Sequence, residues 1–125
     1  MRKTILFVLL FSVVAAAQTA PPGTAQNFLD RANRLKAKGP FAFFDSDYGR
    51  LKAEATAVGR SIGDDRIAAE RAGRPILYCS PTPRAQLGSF EFIDGLAAIP
   101  PAERAGMSLK EAMLRILQKK YPCRR

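Results

Sequence analysis

Cys79 and Cys123 are the only cysteines in the chain, and histidine is absent altogether. Without histidine there is no ordinary general base, no nucleophile-activating triad of the usual kind and no imidazole ligand for zinc. A cysteine attacks or ligates only as a thiolate, so oxidation of the two thiols would remove that chemistry as well. What remains are carboxylates at short spacing: Asp45 with Asp47, Asp64 with Asp65, and Glu91 with Asp94. Acid–base work by a carboxylate pair needs one member buried and protonated beside one kept ionised. These pairs stand in polar stretches, Asp64-Asp65 directly before Arg66, so helix capping and surface salt links are their expected roles. Asp45, Asp47 and Asp64 are oxygen ligands of the type calcium takes, but no calcium-loop spacing surrounds them. The glycines are dispersed and build no phosphate cradle. No catalytic, cofactor-binding or metal-binding residue is assigned, no cofactor is expected, and the chain reads as a binder, inhibitor or accessory subunit, not an enzyme.

The compartment follows from the first residues. Arg2 and Lys3 precede an apolar run from Ile5 to Val14, and Ala15-Ala16-Ala17 supplies small residues before a cleavage point. This is the pattern of a signal peptide over residues 1–17. The run of about ten apolar residues is half of what a spanning helix needs, roughly 20; an uncleaved anchor is the competing reading. No later stretch is long or apolar enough to cross a membrane. Cleavage would leave about 108 residues, suited to one domain. In a periplasmic or secreted setting Cys79 and Cys123 are expected to form one intramolecular disulfide, with free thiols or an intermolecular bridge as the alternatives.

The whole chain carries 20 basic and 11 acidic side chains, and losing Arg2 and Lys3 would leave a charge of about +7. That favours anionic partners. The two basic clusters, Arg31, Arg34, Lys36 and Lys38, and Lys119, Lys120, Arg124 and Arg125, lack the interleaved aromatics of a nucleic-acid stacking groove. No nucleic-acid role is expected, and most of these charges read as solvated helix faces.

The elements that position these residues are helical. After a short arm over 18–23, Thr24 can cap a helix that places Phe28, Leu29, Ala32 and Leu35 on one face and ends at Gly39-Pro40. Asp45, Ser46 and Asp47 can cap a second, long helix running to about Ala72, with Tyr48, Leu51, Ala55, Val58, Ile62 and Ala69 on its apolar side. Gly59 and Gly63 lie in its middle, where they permit close approach or a bend. Gly73 closes it, and Pro75 to Tyr78 delivers Cys79. Ser89 is the expected cap of a third helix carrying Phe90, Ile93, Leu96 and Ala97 inward, before Pro100-Pro101. Ser108 and Glu111 fit a capping box for the last helix, with Leu109, Ala112, Met113, Ile116 and Leu117 inward and Pro122 as its stop. The expected fold is all-α, a compact bundle of four to five helices over 24–125, tied by one disulfide.

Phe41, Phe43 and Phe44 fall within four residues. The sequence favours a core plug or a staple at the entry to the second helix; an exposed docking patch is the alternative. The first candidates for partner contact are accordingly Phe43, Phe44, Asp45 and Tyr48, and after them Pro83, Arg84 and Gln86 in the proline-rich turn.

The C-terminal part adds a resemblance. Tyr78-Cys79-Ser80-Pro81, Gln86-Leu87, the helix with Phe90 and Ile93, Pro100-Pro101-Ala102-Glu103 and the closing Lys120-Tyr121-Pro122-Cys123 occur in the order found in the Rap1a/Tai family of immunity proteins linked to type VI secretion, which this region resembles. The likeness covers roughly residues 78 to 123. In the N-terminal half, where relatives often carry a further cysteine and a Gly-Tyr element, the chain has only Asp47-Tyr48-Gly49. The resemblance implies a periplasmic helical protein that blocks a peptidoglycan-degrading amidase effector by plugging its cleft with a protruding loop. It also implies a possible homodimer, for which the long second helix is a suitable surface. The broader expectation is a periplasmic binding or structural module of the same fold, without a toxin partner, that meets anionic envelope components through its positive charge.

Overall fold

The computed structural model describes residues 19–82 and 84–124. The proposed signal peptide, Pro83 and Arg125 lie outside the described residues. The chain forms α1 (Ala25–Ala37), a 3-10 helix (Gly39–Phe44), α2 (Ser46–Arg71), α3 (Ser89–Ala98), the one-turn α4 (Pro101–Arg104) and α5 (Leu109–Lys120). Among the described residues no strand forms; the one β-type pairing is an isolated bridge between Thr24 and Ser108. The all-α bundle with one disulfide is thus the observed fold.

Local chemistry sets the helix starts. Thr24 Oγ1 accepts from the Asn27 N–H at 3.1 Å, and Ser108 Oγ from the Glu111 N–H at 3.1 Å, so each satisfies a backbone donor that the first turn leaves over. The two caps are also tied to each other. The Ala25 N–H donates to Met107 O at 2.9 Å and the Leu109 N–H to Gly23 O at 3.0 Å, which brings the starts of α1 and α5 side by side. Asp45 caps α2, accepting from the Asp47 N–H at 2.8 Å. Gly39 has a φ of +57°, a left-handed conformation that side chains disfavour; there the chain turns out of α1 into the 3-10 helix.

The core lies between α1, α2, α3 and α5. Phe28, Leu29, Leu35, Leu51, Ile62, Leu96, Met113 and Leu117 are all buried in it. Phe28 meets Phe92 with ring centroids 5.4 Å apart. α3 packs tightly against α5 at Gly95, where an added Cβ would stand 2.8 Å from Ile116 Cδ1. The close approach that the sequence suggested near Gly59 is looser, with Met113 Sδ 3.7 Å from such a Cβ.

Three expectations are corrected. The Phe41–Phe44 segment is not a core plug: the three phenylalanines are exposed, and no residue of the 3-10 helix is buried. In α3 the inward aromatic is Phe92, at 5% exposure, while Phe90 is 72% exposed and Ala97 is on the surface. α3 also starts one residue earlier than a Ser89 cap implies, and it is Phe92 that faces Phe28 across the core. Gly88 is the cap, and its N–H donates to the Glu91 carboxylate at 3.2 Å. Tyr48, placed by periodicity on the inner stripe of α2, lies at the edge of the bundle and is exposed.

Cys79 and Cys123 are bonded, with an S–S distance of 2.02 Å. The bridge closes the chain's C-terminal end onto the connection between α2 and α3. The Cys79 N–H donates to Tyr121 O at 2.8 Å beside it. No helix among the described residues is long and apolar enough to cross a membrane.

Candidate docking surface

Four of the candidate contact residues come together where α1 turns into α2. Phe41, Phe43 and Phe44 are 73%, 69% and 89% exposed, so they project from the bundle as a knuckle. A 3-10 helix has about three residues per turn, which stacks Phe41 above Phe44 on one side. The Phe43 ring meets Tyr48 edge to face at 5.2 Å. Only Ala42 in this segment packs against the core.

The knuckle stands on ion pairs. Arg31, on α1, donates from Nη2 to Asp47 Oδ1 at 2.8 Å and from Nη1 to Glu54 Oε2 at 2.7 Å. It therefore clamps α1 to the first turns of α2 from a half-buried position. The guanidinium holds the Asp47 carboxyl below the usual carboxylate range, chiefly through its hydrogen bonds. Reciprocally, the bonds to Asp47 hold the proton on Arg31 more firmly, against the opposing effect of burial. Lys38 pairs with Asp45 and lowers its pKa in the same way. The basic cluster of α1, which reads from sequence as one solvated face, is thus divided: Arg31 and Lys38 are committed to carboxylates, whereas Arg34 and Lys36 are exposed.

The second candidate group lies elsewhere. Thr82 O accepts from Arg66 Nη1 at 3.4 Å, and Arg66 is 20 residues into α2, about 30 Å along its axis from the knuckle. Arg84 and Gln86 are both exposed. Gln86 O accepts from Lys120 Nζ at 2.9 Å and from the Tyr121 hydroxyl at 3.0 Å. Pro83, named with them, is outside the described residues. The two candidate groups therefore form separate surfaces.

Among the described residues no group of three or more acidic, cysteine or histidine side chains is placed to hold a metal ion. Asp64 and Asp65 are exposed, and Asp65 pairs with Lys110 at 2.7 Å. Asp64 stands about 27 Å along α2 from Asp45 and Asp47, so these three do not share a ligand. A half-open groove of about 510 Å³ runs beneath Ile76 and Leu77 over Ile62, Ala69 and Leu114. Of its three cations, Arg66 and Lys110 are in ion pairs, and Arg74 is in none among the described residues. The outer side of α2 exposes Gly49, Ala53 and Ala57 beside the cations Lys52 and Arg60.

Two structural arginines escape sequence reading. Arg104, 7% exposed, donates from Nη1 to the carbonyls of Leu96, Ala97 and Ile99 at 3.0, 3.2 and 2.7 Å, and from Nε to Gln26 Oε1 at 2.6 Å. It satisfies the carbonyls that the end of α3 leaves over. Arg66 lies over the Tyr78 ring at 5.1 Å and donates to the Ser80 hydroxyl and carbonyl. Burial raises the Tyr78 pKa, and the Arg66 charge partly offsets this. Each works through tertiary partners that no local spacing announces.

No family model, curated protein or solved structure matches this chain.

Proposed function

We propose that this chain is an exported docking protein that acts by contact and not by turnover, binding anionic components of the cell envelope through the Phe41–Tyr48 knuckle and its flanking cations. The observation that carries this reading is the pairing of three phenylalanines, each more than two-thirds exposed, with basic side chains left over beside them. Singly exposed apolar residues are common, but a cluster on one projection is a mark of an interaction site. The disulfide fits an oxidising compartment.

A second reading, occlusion of an amidase cleft by the turn after Cys79, follows from the resemblance to immunity proteins and has its own support. That turn is held at both ends: by the disulfide and Arg66 on one side, and by Lys120 and Tyr121 on Gln86 O on the other. Such tethering lowers the entropy cost of binding.

The two readings place the contact on different surfaces. Purified envelope polymers and vesicles should bind the exported protein in a salt-sensitive manner, and Phe43→Ser/Phe44→Ser should weaken that binding. Binding that ignores both salt and the double variant would overturn the first reading. Inhibition of a purified wall amidase that is lost in Arg84→Ala/Gln86→Ala would establish the second.

A further inference from the structure

Resting on the docking role of the knuckle, we infer that its partner is the surface of an anionic phospholipid bilayer. Phe41, Phe43 and Phe44 enter the interface between headgroups and acyl chains, and Arg34, Lys36, Arg50 and Lys52 lie against the lipid phosphates.

Charge complementarity selects this partner. Between Arg31 and Lys52 the only acidic residues are Asp45 and Asp47. Both are already engaged, by Lys38 and Arg31. Four exposed cations remain in the last turn of α1 and the first two turns of α2, on either side of the apolar tip in sequence, and none of them is in an ion pair among the described residues. Aromatic insertion combined with surplus lysine and arginine is the general recipe for peripheral attachment to anionic lipid.

The chemistry of the tip points the same way. Phenylalanine carries no hydrogen-bonding group, so the three rings ask only for apolar volume. Protein hot spots instead favour tryptophan, tyrosine and arginine, which combine packing with polar contacts. The segment's backbone is partly self-satisfied, with the Phe41 N–H donating to Lys38 O at 3.3 Å and the Asp45 N–H to Ala42 O at 3.1 Å. This lowers the cost of bringing it toward hydrocarbon. Tyr48, amphipathic and packed on Phe43, sits behind the tip, where a ring with a hydroxyl suits the headgroup level.

The chain has no tryptophan, so Phe44→Trp installs a single reporter at the most exposed position. With vesicles of equal phosphatidylglycerol and phosphatidylcholine, its emission should shift to the blue and be quenched by brominated acyl chains. Pure phosphatidylcholine should give neither effect. In that background Arg34→Gln/Lys36→Gln should reduce partitioning by roughly tenfold or more, as should Phe41→Ser/Phe43→Ser, with the helical circular dichroism unchanged. Binding to soluble dextran sulfate with an indole that stays in water on the anionic vesicles would overturn the bilayer as partner while leaving the envelope-docking role standing. So would a blue shift produced only by a protein. Binding to neither vesicles nor polyanion would overturn both.

Discussion

The two ends of α2 treat aromatic side chains in opposite ways. At its C-terminal end Tyr78 is 2% exposed, lies under Arg66 and is followed by a cysteine bonded to Cys123. At its N-terminal end Phe44 is 89% exposed and touches almost nothing. One end is closed by a covalent bond and by arginine and lysine bonds to main-chain carbonyls. The other rests on carboxylate ion pairs and leaves its apolar groups to solvent. A small domain has little core to spare, so three uncovered phenylalanines are a cost to solubility that folding does not recover. Contact with the proposed partner would cover them.

The largest test of this contrast is to open the closed end. Cys79→Ser releases a loop of 44 positions and should cost about 4 kcal/mol in the oxidised protein. That corresponds to a fall of about 20 °C in Tm for a domain of this size, measured by calorimetry. An unchanged Tm would mean that noncovalent packing alone holds this end.

Acid should act first on the other end. Asp45 and Asp47 have pKa values lowered by Lys38 and Arg31. A carboxylate whose pKa is depressed by folding adds stability above its unfolded pKa and loses it as the pH falls through its folded value. Acidification below about pH 4 should therefore loosen the base of the knuckle, with Asp47→Asn giving a shallower acid dependence. Glu91 beside Lys120 is lowered likewise, but the neighbouring disulfide does not titrate. Hydrogen exchange should accordingly rise at the amides of 41–48 before those of 79–82. Simultaneous opening would erase the distinction between the ends.

The smallest expected effect on stability is at the tip itself. Phe44→Ser should change unfolding free energy by less than about 0.5 kcal/mol, as surface substitutions do, because no neighbour loses packing. A loss above about 2 kcal/mol, seen by denaturant titration, would show that the ring is covered in the folded protein and would remove the patch.

Much of the scaffold is legible along the chain. Thr24, Asp45 and Ser108 act as caps where side-chain chemistry places them, and the 3.6-residue period finds Phe28, Leu29, Leu51 and Leu117. The pattern fails where two placements satisfy it almost equally. Phe90 and Phe92 both fall in the first turn of α3, and the choice between them depends on which can meet Phe28 across the core. The knuckle is the clearer case: an apolar cluster before a helix reads as a staple whenever a neighbour stands ready to receive it, and here Gly39 turns the segment away from the bundle.

Residue order alone determined the presence of the long helices, the caps at Thr24, Asp45 and Ser108, the excess of positive charge and the presence of just two sulfurs able to pair. These are local or compositional properties that need no knowledge of what lies across the core. Tertiary structure decided which phenylalanines are covered, which cations keep their charge unmatched, and that Arg104 and Arg66 serve main-chain carbonyls instead of solvent. Each of those outcomes depends on atoms far apart in sequence arriving within a few ångströms, so burial and pairing become properties of the packed helices, not of any segment by itself.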